Sequence, residues 1–289
     1  ASCPACAGHC AAPVTDGLSP GSPFGETIER LVAYLRYGHA ISYQRLSRLF
    51  SELFNLSISE GAIANLLARV QSRLTAPICE IQSRLQHSEL ICSDETSARV
   101  AGKTQWEWVF QNEAVCFHII CPTRGASVIY SVLGDHEPHT WVSDLFSAQR
   151  NHPGVQWQVC LAHQLRDLQF AIDAGDAVFA PAMKRLLLRA LAIHQRRGTL
   201  APSTRYQYRL DIKRRLRRCL DLESDQADGI RLRKRYEDIQ ENLFLFLEDD
   251  SIPPTNNSSE QAIRMSTLFR KETNGFRSDW GKDLFAAVR

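Results

Sequence analysis

Apolar residues recur every three or four positions through residues 24–75, with polar residues between them. This spacing predicts amphipathic helices. Three runs show it, and their apolar positions are Ile28, Leu31, Val32 and Leu35 in the first, Tyr43, Leu46, Leu49, Phe50 and Leu53 in the second, and Ile63, Leu66, Leu67 and Val70 in the third. A break at 55–57 separates the second run from the third, and Ser59 is suited to cap the third helix.

A helix, a short turn and a second helix are compatible with a helix-turn-helix unit that binds DNA. The alternative is a plain helical bundle. The third run contains few basic residues, which favours the bundle slightly.

The periodicity changes near residue 89. Runs at 90–92, 105–110 and 115–120 are rich in aromatic and β-branched residues, and turn-forming residues separate them. They predict a three-stranded meander. Further elements follow: a helix after Arg124-Gly125, strands at 140–142 and 155–159, a helix through Phe170, a long helical stretch at 174–249, and a last helical run that contains Glu260.

The order β-β-β-α-β-α-β-α, interrupted by a helical block, predicts an α/β fold with a mixed sheet. The first three strands connect as hairpins and the later ones through crossovers, which is the ribonuclease-H-like topology. The predicted segments are a partial zinc-binding segment or linker (1–22), a small helical domain (23–86), the first part of the ribonuclease-H-like core (87–173), a helical insertion (174–249) and the last part of the core (250–289).

The chain has 289 residues, 44% of them hydrophobic, which is enough to bury a substantial core. A net charge of +2 does not by itself indicate a nucleic-acid partner, but positive charge concentrates between residues 184 and 235. The densest basic run consists of Lys213, Arg214, Arg215, Arg217 and Arg218. It is suited to contact a DNA backbone. The alternative is a solvated helix face, because acids such as Asp211 are close in sequence.

Nine cysteines are present, and most stand alone in apolar runs, as Cys92, Cys116 and Cys219 do. We therefore expect a reduced, cytoplasmic protein. The sequence contains no recognisable signal peptide and no apolar run of transmembrane length. It begins at Ala1 without methionine and stops at Arg289 inside a helix-like run, so we expect a fragment of a longer protein.

Cys3 and Cys6 form a CxxC pair near the start of the chain. Such a pair is half of a structural zinc site, which normally has four ligands. His9 and Cys10 are near enough in sequence to complete a cramped site. The alternative is that the pair is the remnant of a larger zinc-binding module.

Three acids stand at positions where a carboxylate needs a partner. Asp94 and Asp144 each follow an apolar run where a buried strand is expected to end, and a buried carboxylate there requires an ion pair or a metal. Glu260 is expected in the first turn of a helix capped by Asn256 and Asn257. Glu95 is the rival of Asp94, but strand alternation directs it to the opposite face.

Three such carboxylates suffice to hold a pair of Mg²⁺ or Mn²⁺ ions about 4 Å apart. A two-metal site of this kind activates the attacking oxygen and neutralises the leaving oxygen when a phosphodiester bond is cut or joined. The acids therefore predict phosphoryl-transfer chemistry on a nucleic acid.

In these segments the sequence resembles the insertion sequence 66 type transposases, a family of bacterial Asp-Asp-Glu transposases. The segments that carry the resemblance occur in the family's order: 94–96 (DET), 100–103 (VAGK), 124–125 (RG), 142–144 (VSD), 160–167 (CLAHQLRD), 253–264 (PPTNNSSEQAIR) and 274–278 (NGFRS). Thr255 is a departure, because many members carry Asp there.

The resemblance implies a ribonuclease-H-like catalytic core in which Asp94, Asp144 and Glu260 bind the metal ions. It implies cleavage at transposon ends and transfer of the freed strand into target DNA. Cys3 and Cys6 would be the end of an N-terminal zinc-binding segment. The implied partners are double-stranded DNA carrying the terminal repeats, target DNA, further copies of the chain and helper proteins, in the bacterial cytoplasm at the nucleoid and with no membrane.

Several residues are expected to support the acids, and Asn256 and Asn257 are expected to contact a metal ligand or DNA. His163, in a CxxH element with Cys160, is expected near Asp144, in contact with a ligand of the metal or with phosphate, while two ligands alone do not make a zinc site. Arg264 lies four residues after Glu260 and so on the same helix face. Arg264 and Arg277 are each candidates to contact a phosphate, with an ordinary salt bridge as the alternative.

Two other functions remain open. One is a DNA-binding derivative of a transposase without catalytic activity, and the other is a ribonuclease-H-type nuclease that shares the site but cleaves without joining strands. The presence of all three acids argues against the first of these.

Overall fold

The computed structural model describes residues 4–6, 22–150, 154 and 156–289. Its strands are β1 (Leu90–Val100), β2 (Lys103–Gln111), β3 (Cys116–Cys121), β4 (Thr140–Ser143) and β5 (Gln156–Val159). Its helices are α1 (Glu26–Ala33), α2 (Tyr43–Phe54), α3 (Glu60–Leu85), α4 (Ser127–Leu133), α5 (Ser147–Arg150), α6 (Leu161–Asp173), α7 (Phe179–Gln195), α8 (Pro202–Leu220), α9 (Ala227–Ile239), α10 (Asn257–Thr273) and α11 (Asp279–Val288).

The five strands form one mixed sheet in the order β3-β2-β1-β4-β5. β1, β2 and β3 pair antiparallel as a meander, whereas β4 pairs parallel with β1 and β5 parallel with β4. The mixed α/β architecture predicted from the element order is therefore confirmed, and it is compatible with a ribonuclease-H-like fold.

Strand β1 is longer than its apolar run indicated. It continues to Val100, so the prediction that Asp94 ends a strand is wrong. The parallel ladder with β4, however, extends only from the pair Leu90–Thr140 to the pair Cys92–Val142. Beyond that point β2 is the one described strand that pairs with β1, and Asp94 lies just past the end of the parallel ladder. The hairpin pairing with β2 continues the strand through its polar middle, and Ala98 and Val100 at its far end are again buried.

The three N-terminal helices form as the apolar spacing predicted. Ser59 caps α3, its hydroxyl accepting a hydrogen bond from the amide of Ala62 at 3.1 Å. Asn55 ends α2 in the left-handed conformation. The third helix runs to Leu85, with Pro77 inside it, although the pattern predicted an end near residue 75. Whether α2 and α3 act as a helix-turn-helix unit stays a prediction.

Three hydrophobic clusters organise the described residues. One joins β4, β5 and α6 to the helices of the 174–249 stretch, which is helical as predicted. A second joins α1–α3 to the far end of β1, to β3 and to α10 and α11. A third packs α4 and the end of α3 on the sheet. The helices of the predicted small domain therefore share a core with C-terminal elements, while the domain boundaries themselves stay predictions.

Tryptophans in the strands contribute mainly to the core. Trp108 and Trp141 are buried, and the indole nitrogen of half-buried Trp157 donates to the Ser143 hydroxyl at 3.0 Å. No described helix is long and apolar enough to cross a bilayer. Of the predicted zinc ligands, Cys6 is exposed, and Cys3 lies outside the described residues, as do His9 and Cys10.

Candidate active site

Two of the three predicted acids meet where neighbouring parallel strands diverge. Asp144 directly follows the last residue of β4, and Asp94 lies two residues beyond the last β1–β4 pair, Cys92–Val142. Continuing that register by two residues places Asp94 level with Asp144. The sheet topology thus brings together two carboxylates that are 50 positions apart in sequence.

Helix α10 brings the third acid to the same place. Asn256 is buried immediately before the helix, and its side-chain amide donates to the Ser93 carbonyl at 2.5 Å. Its backbone amide donates to the sulfur of Cys160 at 3.1 Å. Glu260 follows in the first turn of α10. The start of α10 is therefore fixed to β1, next to Asp94, and to the start of α6.

The predicted capping of α10 by asparagine side chains is wrong. Asn256 occupies the capping position, but its side chain makes no capping hydrogen bond and instead binds the backbone of β1. Asn257 is the first residue of the helix and is exposed. A contact between segments that are 163 positions apart has replaced a local one, which no local pattern reports.

Glu260 is contacted from α6. Its carboxylate accepts a hydrogen bond from Arg166 at 3.1 Å and lies 3.6 Å from Nδ1 of His163. The acid that His163 contacts is thus Glu260, whereas the sequence predicted a position near Asp144. Arg166 is not among the predicted site residues, although it lies three residues after His163 and hence on the same helix face. Arg264 is exposed, and no hydrogen bond or ion pair joins it to Glu260 among the described residues.

Burial and the neighbouring carboxylates raise the affinity of Asp94 for protons. Burial, and then the charge of Glu95, raise the pKa of Asp94 to about 7, and the charges of Asp144 and Glu260 add to the effect. The backbone amide of Glu95, which donates to Asp94 at 2.9 Å, opposes this rise. Burial and the nearby Arg166 lower the pKa of His163, which favours the neutral imidazole. Negative charge at Asp94 is therefore under-compensated by the described side chains.

Glu95 has partners of its own. Its carboxylate accepts hydrogen bonds from Arg124, the Nε one at 3.0 Å, and from Gln149, whose own amide oxygen accepts from the Ser93 hydroxyl. Arg124 also lies over the rings of Trp106 and Phe146. Burial and Asp144 raise the pKa of Glu95, while Arg124 opposes the rise. Glu95 is thus paired, in contrast to Asp94.

The donor set of Asp94, Asp144 and Glu260 fits hard divalent cations. All three offer carboxylate oxygens, which Mg²⁺ and Mn²⁺ prefer. Their ligand atoms do not all lie within 4.8 Å of one another, as one shared coordination shell would require, and a pair of ions allows the wider spacing. A bound cation would neutralise the under-compensated negative charge of Asp94.

A second set of possible ligands overlaps the first. Cys160, His163 and Glu260 have ligand atoms within 4.8 Å of one another, and they form the one such group of histidine, cysteine and acidic residues among the described positions. Cys160 is buried, and Nδ1 of His163 is buried without a hydrogen-bond partner. A sulfur, a nitrogen and an oxygen suit softer metals such as Zn²⁺ better than Mg²⁺. Three ligands fall one short of a closed structural zinc site.

The remaining candidates lie away from the acids. In the basic run of α8, Lys213 pairs with Glu248, while Arg214 and Arg215 pair with Asp211. These three pairs favour the interpretation as a solvated helix face. Arg217 and Arg218 are exposed and make no ion pair within the described residues. Arg277 is exposed beside the turn that follows α10.

A family model described as "Transposase IS66 family" matches residues 21–283, which is most of the chain. No curated protein matches the sequence.

Proposed function

Because the chain belongs to the IS66 family of transposases, we propose that it cuts DNA at the ends of a transposable element and joins the freed strand to target DNA. In this proposal Asp94, Asp144 and Glu260 hold two Mg²⁺ or Mn²⁺ ions. The first reaction is hydrolysis of a phosphodiester bond, which leaves a 3′-hydroxyl and a 5′-phosphate. In the second, that hydroxyl attacks a phosphorus of the target and displaces a 3′ oxygen.

One observation carries the proposal. The β1–β4 register, extended by two residues, puts Asp94 level with Asp144, and the Asn256–Ser93 hydrogen bond holds the start of the Glu260 helix against the same strand. Burial and then the neighbouring acids raise the pKa of Asp94 to about 7, as expected for carboxylates gathered for a cation. Bound divalent cations would lower the pKa of a coordinated water or hydroxyl and neutralise the leaving oxygen.

The surrounding residues receive supporting roles in this proposal. Asn256 positions the helix that bears Glu260, and Arg166 and His163 orient its carboxylate. Arg264, on the exposed face of the same helix, and Arg277, beyond the following turn, are proposed to contact DNA phosphates. Arg124 and Gln149 keep Glu95 paired, which leaves Asp94 as the acid free to bind metal.

The test is cleavage by purified protein of a plasmid that carries the ends of the element. We expect Asp94→Asn and Glu260→Gln to reduce Mg²⁺-dependent nicking and strand joining at least 100-fold, because each removes a carboxylate ligand. Glu272→Gln, an equally conservative change at an exposed acid of the same helix, serves as the control. Cleavage that survives in either of the first two variants contradicts the assignment of the acids.

The two other functions are outcomes of the same experiment. Nicking without formation of joined products would indicate a nuclease that does not transfer strands. Binding of the element's ends without any metal-dependent turnover would indicate a silent DNA-binding derivative.

A further inference from the structure

A groove beside the candidate active site has not been assigned a role. It encloses about 550 Å³ between the second half of β1 and the second half of α10, and we name it the β1–α10 groove. Its walls include Thr96 and Arg99 from β1, Thr267, Arg270 and Lys271 from α10, and Gly275 from the turn that follows. The described residues that line it include no aspartate or glutamate.

Positive charge in the groove lacks carboxylate partners. Arg270 is half-buried, and its guanidinium donates to the Thr267 hydroxyl at 3.0 Å, to the Thr96 hydroxyl at 3.3 Å and to the Ser266 carbonyl at 3.2 Å. Its charge is held by neutral oxygens, a costly arrangement for a desolvated cation. Arg99 and Lys271 are exposed and make no ion pair within the described part of the chain.

The acid that attracts Arg270 electrostatically, Glu107, has other hydrogen-bond partners. Its Oε1 accepts a hydrogen bond from Ser266 at 2.6 Å and lies 3.0 Å from the ring of His118. Glu107 is buried and does not line the groove. An anion entering the groove would therefore meet three cations without displacing an ion pair.

The exposed edge of β1 adds a backbone donor. Between the last β1–β4 pair at Cys92 and the bridge from Val100 to Phe276, none of the described strands pairs with this edge of β1. Arg99 accepts from the Phe276 amide at 2.7 Å at one end of this gap, and Ser93 accepts from Asn256 at the other. Strand alternation directs the Ser97 amide to the same edge. Hydroxyls, guanidinium, ammonium and a backbone amide are together the donors that bind phosphate.

The groove continues directly from the acids. Thr96 lies two residues after Asp94 on the same face of β1. Thr267 lies seven residues, about 10 Å of helix, after Glu260. A strand whose phosphate sits at the acids would therefore place neighbouring phosphates along the groove.

We propose that the β1–α10 groove binds the phosphodiester backbone of the DNA strand that enters the active site, with Arg99, Arg270 and Lys271 as its phosphate contacts. The inference deepens the proposed function, on which it rests. It assigns DNA positioning to a surface on the core elements themselves, whereas the basic run of α8 is largely paired with acids.

The test is binding of a fluorescent 30-base-pair duplex with a five-nucleotide 3′ overhang, measured by anisotropy in EDTA. All proteins carry Asp94→Asn, so that cleavage does not contribute. We expect the double variant Arg99→Gln with Lys271→Gln to bind the duplex about tenfold more weakly. The slope of the logarithm of the binding constant against the logarithm of salt concentration should flatten by about 1.4 to 1.8, the value for two lost phosphate contacts. Arg270→Gln should act in the same direction, with Arg270→Lys partly restoring affinity.

The matched control is Arg196→Gln with Lys234→Gln, which also removes one arginine and one lysine. Both control residues are exposed, lie in the helical insertion and make no ion pair within the described residues. Unchanged affinity and slope in the groove variant overturn the proposal, and so does an equal loss in the control. Tighter binding of a polyglutamate peptide than of DNA, lost in the groove variant, would assign the groove to an acidic protein instead and also overturns it.

This readout is independent of catalysis. If Asp94→Asn and Glu260→Gln retain cleavage while the groove variants lose DNA binding, the acid assignment fails and the groove stands. If the acids are essential and groove variants bind normally, the groove fails alone.

Discussion

At the scale of single residues, Asp94 and Glu95 differ in their hydrogen-bond partners, and this difference bears on which of them can bind a metal ion. The two acids are adjacent on β1, yet Glu95 is bound by Arg124 and Gln149, whereas Asp94 accepts only the Glu95 amide among the described contacts. Burial and neighbouring acids raise the pKa of Asp94 to about 7. The strand therefore presents one neutralised acid and one that is available to a cation.

A residue-scale prediction concerns metal binding without turnover. We expect 10 mM MgCl₂ to raise the melting temperature of the protein, because a ligand present at 100 times its dissociation constant stabilises the folded state by about 2.7 kcal/mol. Asp94→Asn should lose most of this rise. Thermal unfolding with and without MgCl₂, at matched ionic strength and with Glu272→Gln as control, measures it. An equal rise in Asp94→Asn would place the ions elsewhere.

A second prediction compares two glycines that both have a positive φ. A Cβ on Gly275 (φ +93°) would lie 2.6 Å from the Arg99 carbonyl, so Gly275→Ala must break the contact between this turn and β1. A Cβ on Gly102 (φ +79°) would meet nothing within 4 Å. We expect Gly275→Ala to cost about 3 kcal/mol of unfolding free energy and Gly102→Ala about 1 kcal/mol, the strain of the backbone alone. Urea denaturation measures both, and equal costs would contradict the close approach.

At the scale of elements, a polar side chain that precedes the helix ties the start of α10, and likewise that of α7, to another segment. Asn256 binds β1 and the sulfur of Cys160 before α10, and Asp176 binds the amides at the start of α7. The Asp176 carboxylate accepts from Val178 at 3.0 Å and Ala180 at 2.8 Å, and also from the Ser224 hydroxyl at 2.9 Å. Asp176 thereby ties α7 to the segment before α9.

This capping predicts a pH-dependent contribution to stability. Burial disfavours ionisation of Asp176, but its hydrogen bonds outweigh burial and hold its pKa below the usual value. A lowered pKa in the folded state stabilises the protein above the unfolded pKa of about 3.9, and this stabilisation is lost as pH falls through the folded pKa. Asp176→Asn should therefore cost about 2 kcal/mol at pH 7 and progressively less below about pH 4.

Chemical denaturation of wild type and Asp176→Asn across pH 3–7 tests this dependence. Asp225→Asn is the control, because Asp225 is exposed and makes no hydrogen bond among the described contacts. A difference between wild type and Asp176→Asn that stays constant over this range would show that the ionised carboxylate is not the origin of the effect.

At the scale of the whole molecule, the N-terminal helices and the C-terminal elements form one hydrophobic cluster. Phe285 of α11 is buried at its centre, with its ring centroid 4.6 Å from that of Phe269 and 5.1 Å from that of Phe276. Tyr37, next to the N-terminal helices, contacts the same ring at 6.1 Å. The C-terminal turn and helix are therefore coupled to the N-terminal helices by packing, while the insertion packs in a different cluster.

Hydrogen exchange should resolve the two clusters. We expect Phe285→Ala to cost about 3–5 kcal/mol and to reduce protection in α1–α3, α10 and α11, with smaller changes in α7–α9. Phe179→Ala, a buried phenylalanine of the insertion cluster, should show the reverse pattern. Loss of protection confined to α11 in Phe285→Ala would contradict the coupling.

Most helices and strands of this protein follow from the local pattern of apolar residues. The sequence also pointed to Asp94, Asp144 and Glu260, and their catalytic roles stay predictions. Helical spacing, aromatic strand runs and the Ser59 cap depend on residues within a few positions of each other, so the sequence alone predicts them. Contacts between distant segments decide where the parallel ladder with β4 ends. They also decide that Asn256 binds β1, 163 positions away, and that Arg166 binds Glu260, 94 positions away. Only the tertiary structure decided those contacts, and with them the groove that leads from the acids, because local periodicity carries no information on which distant segments pair.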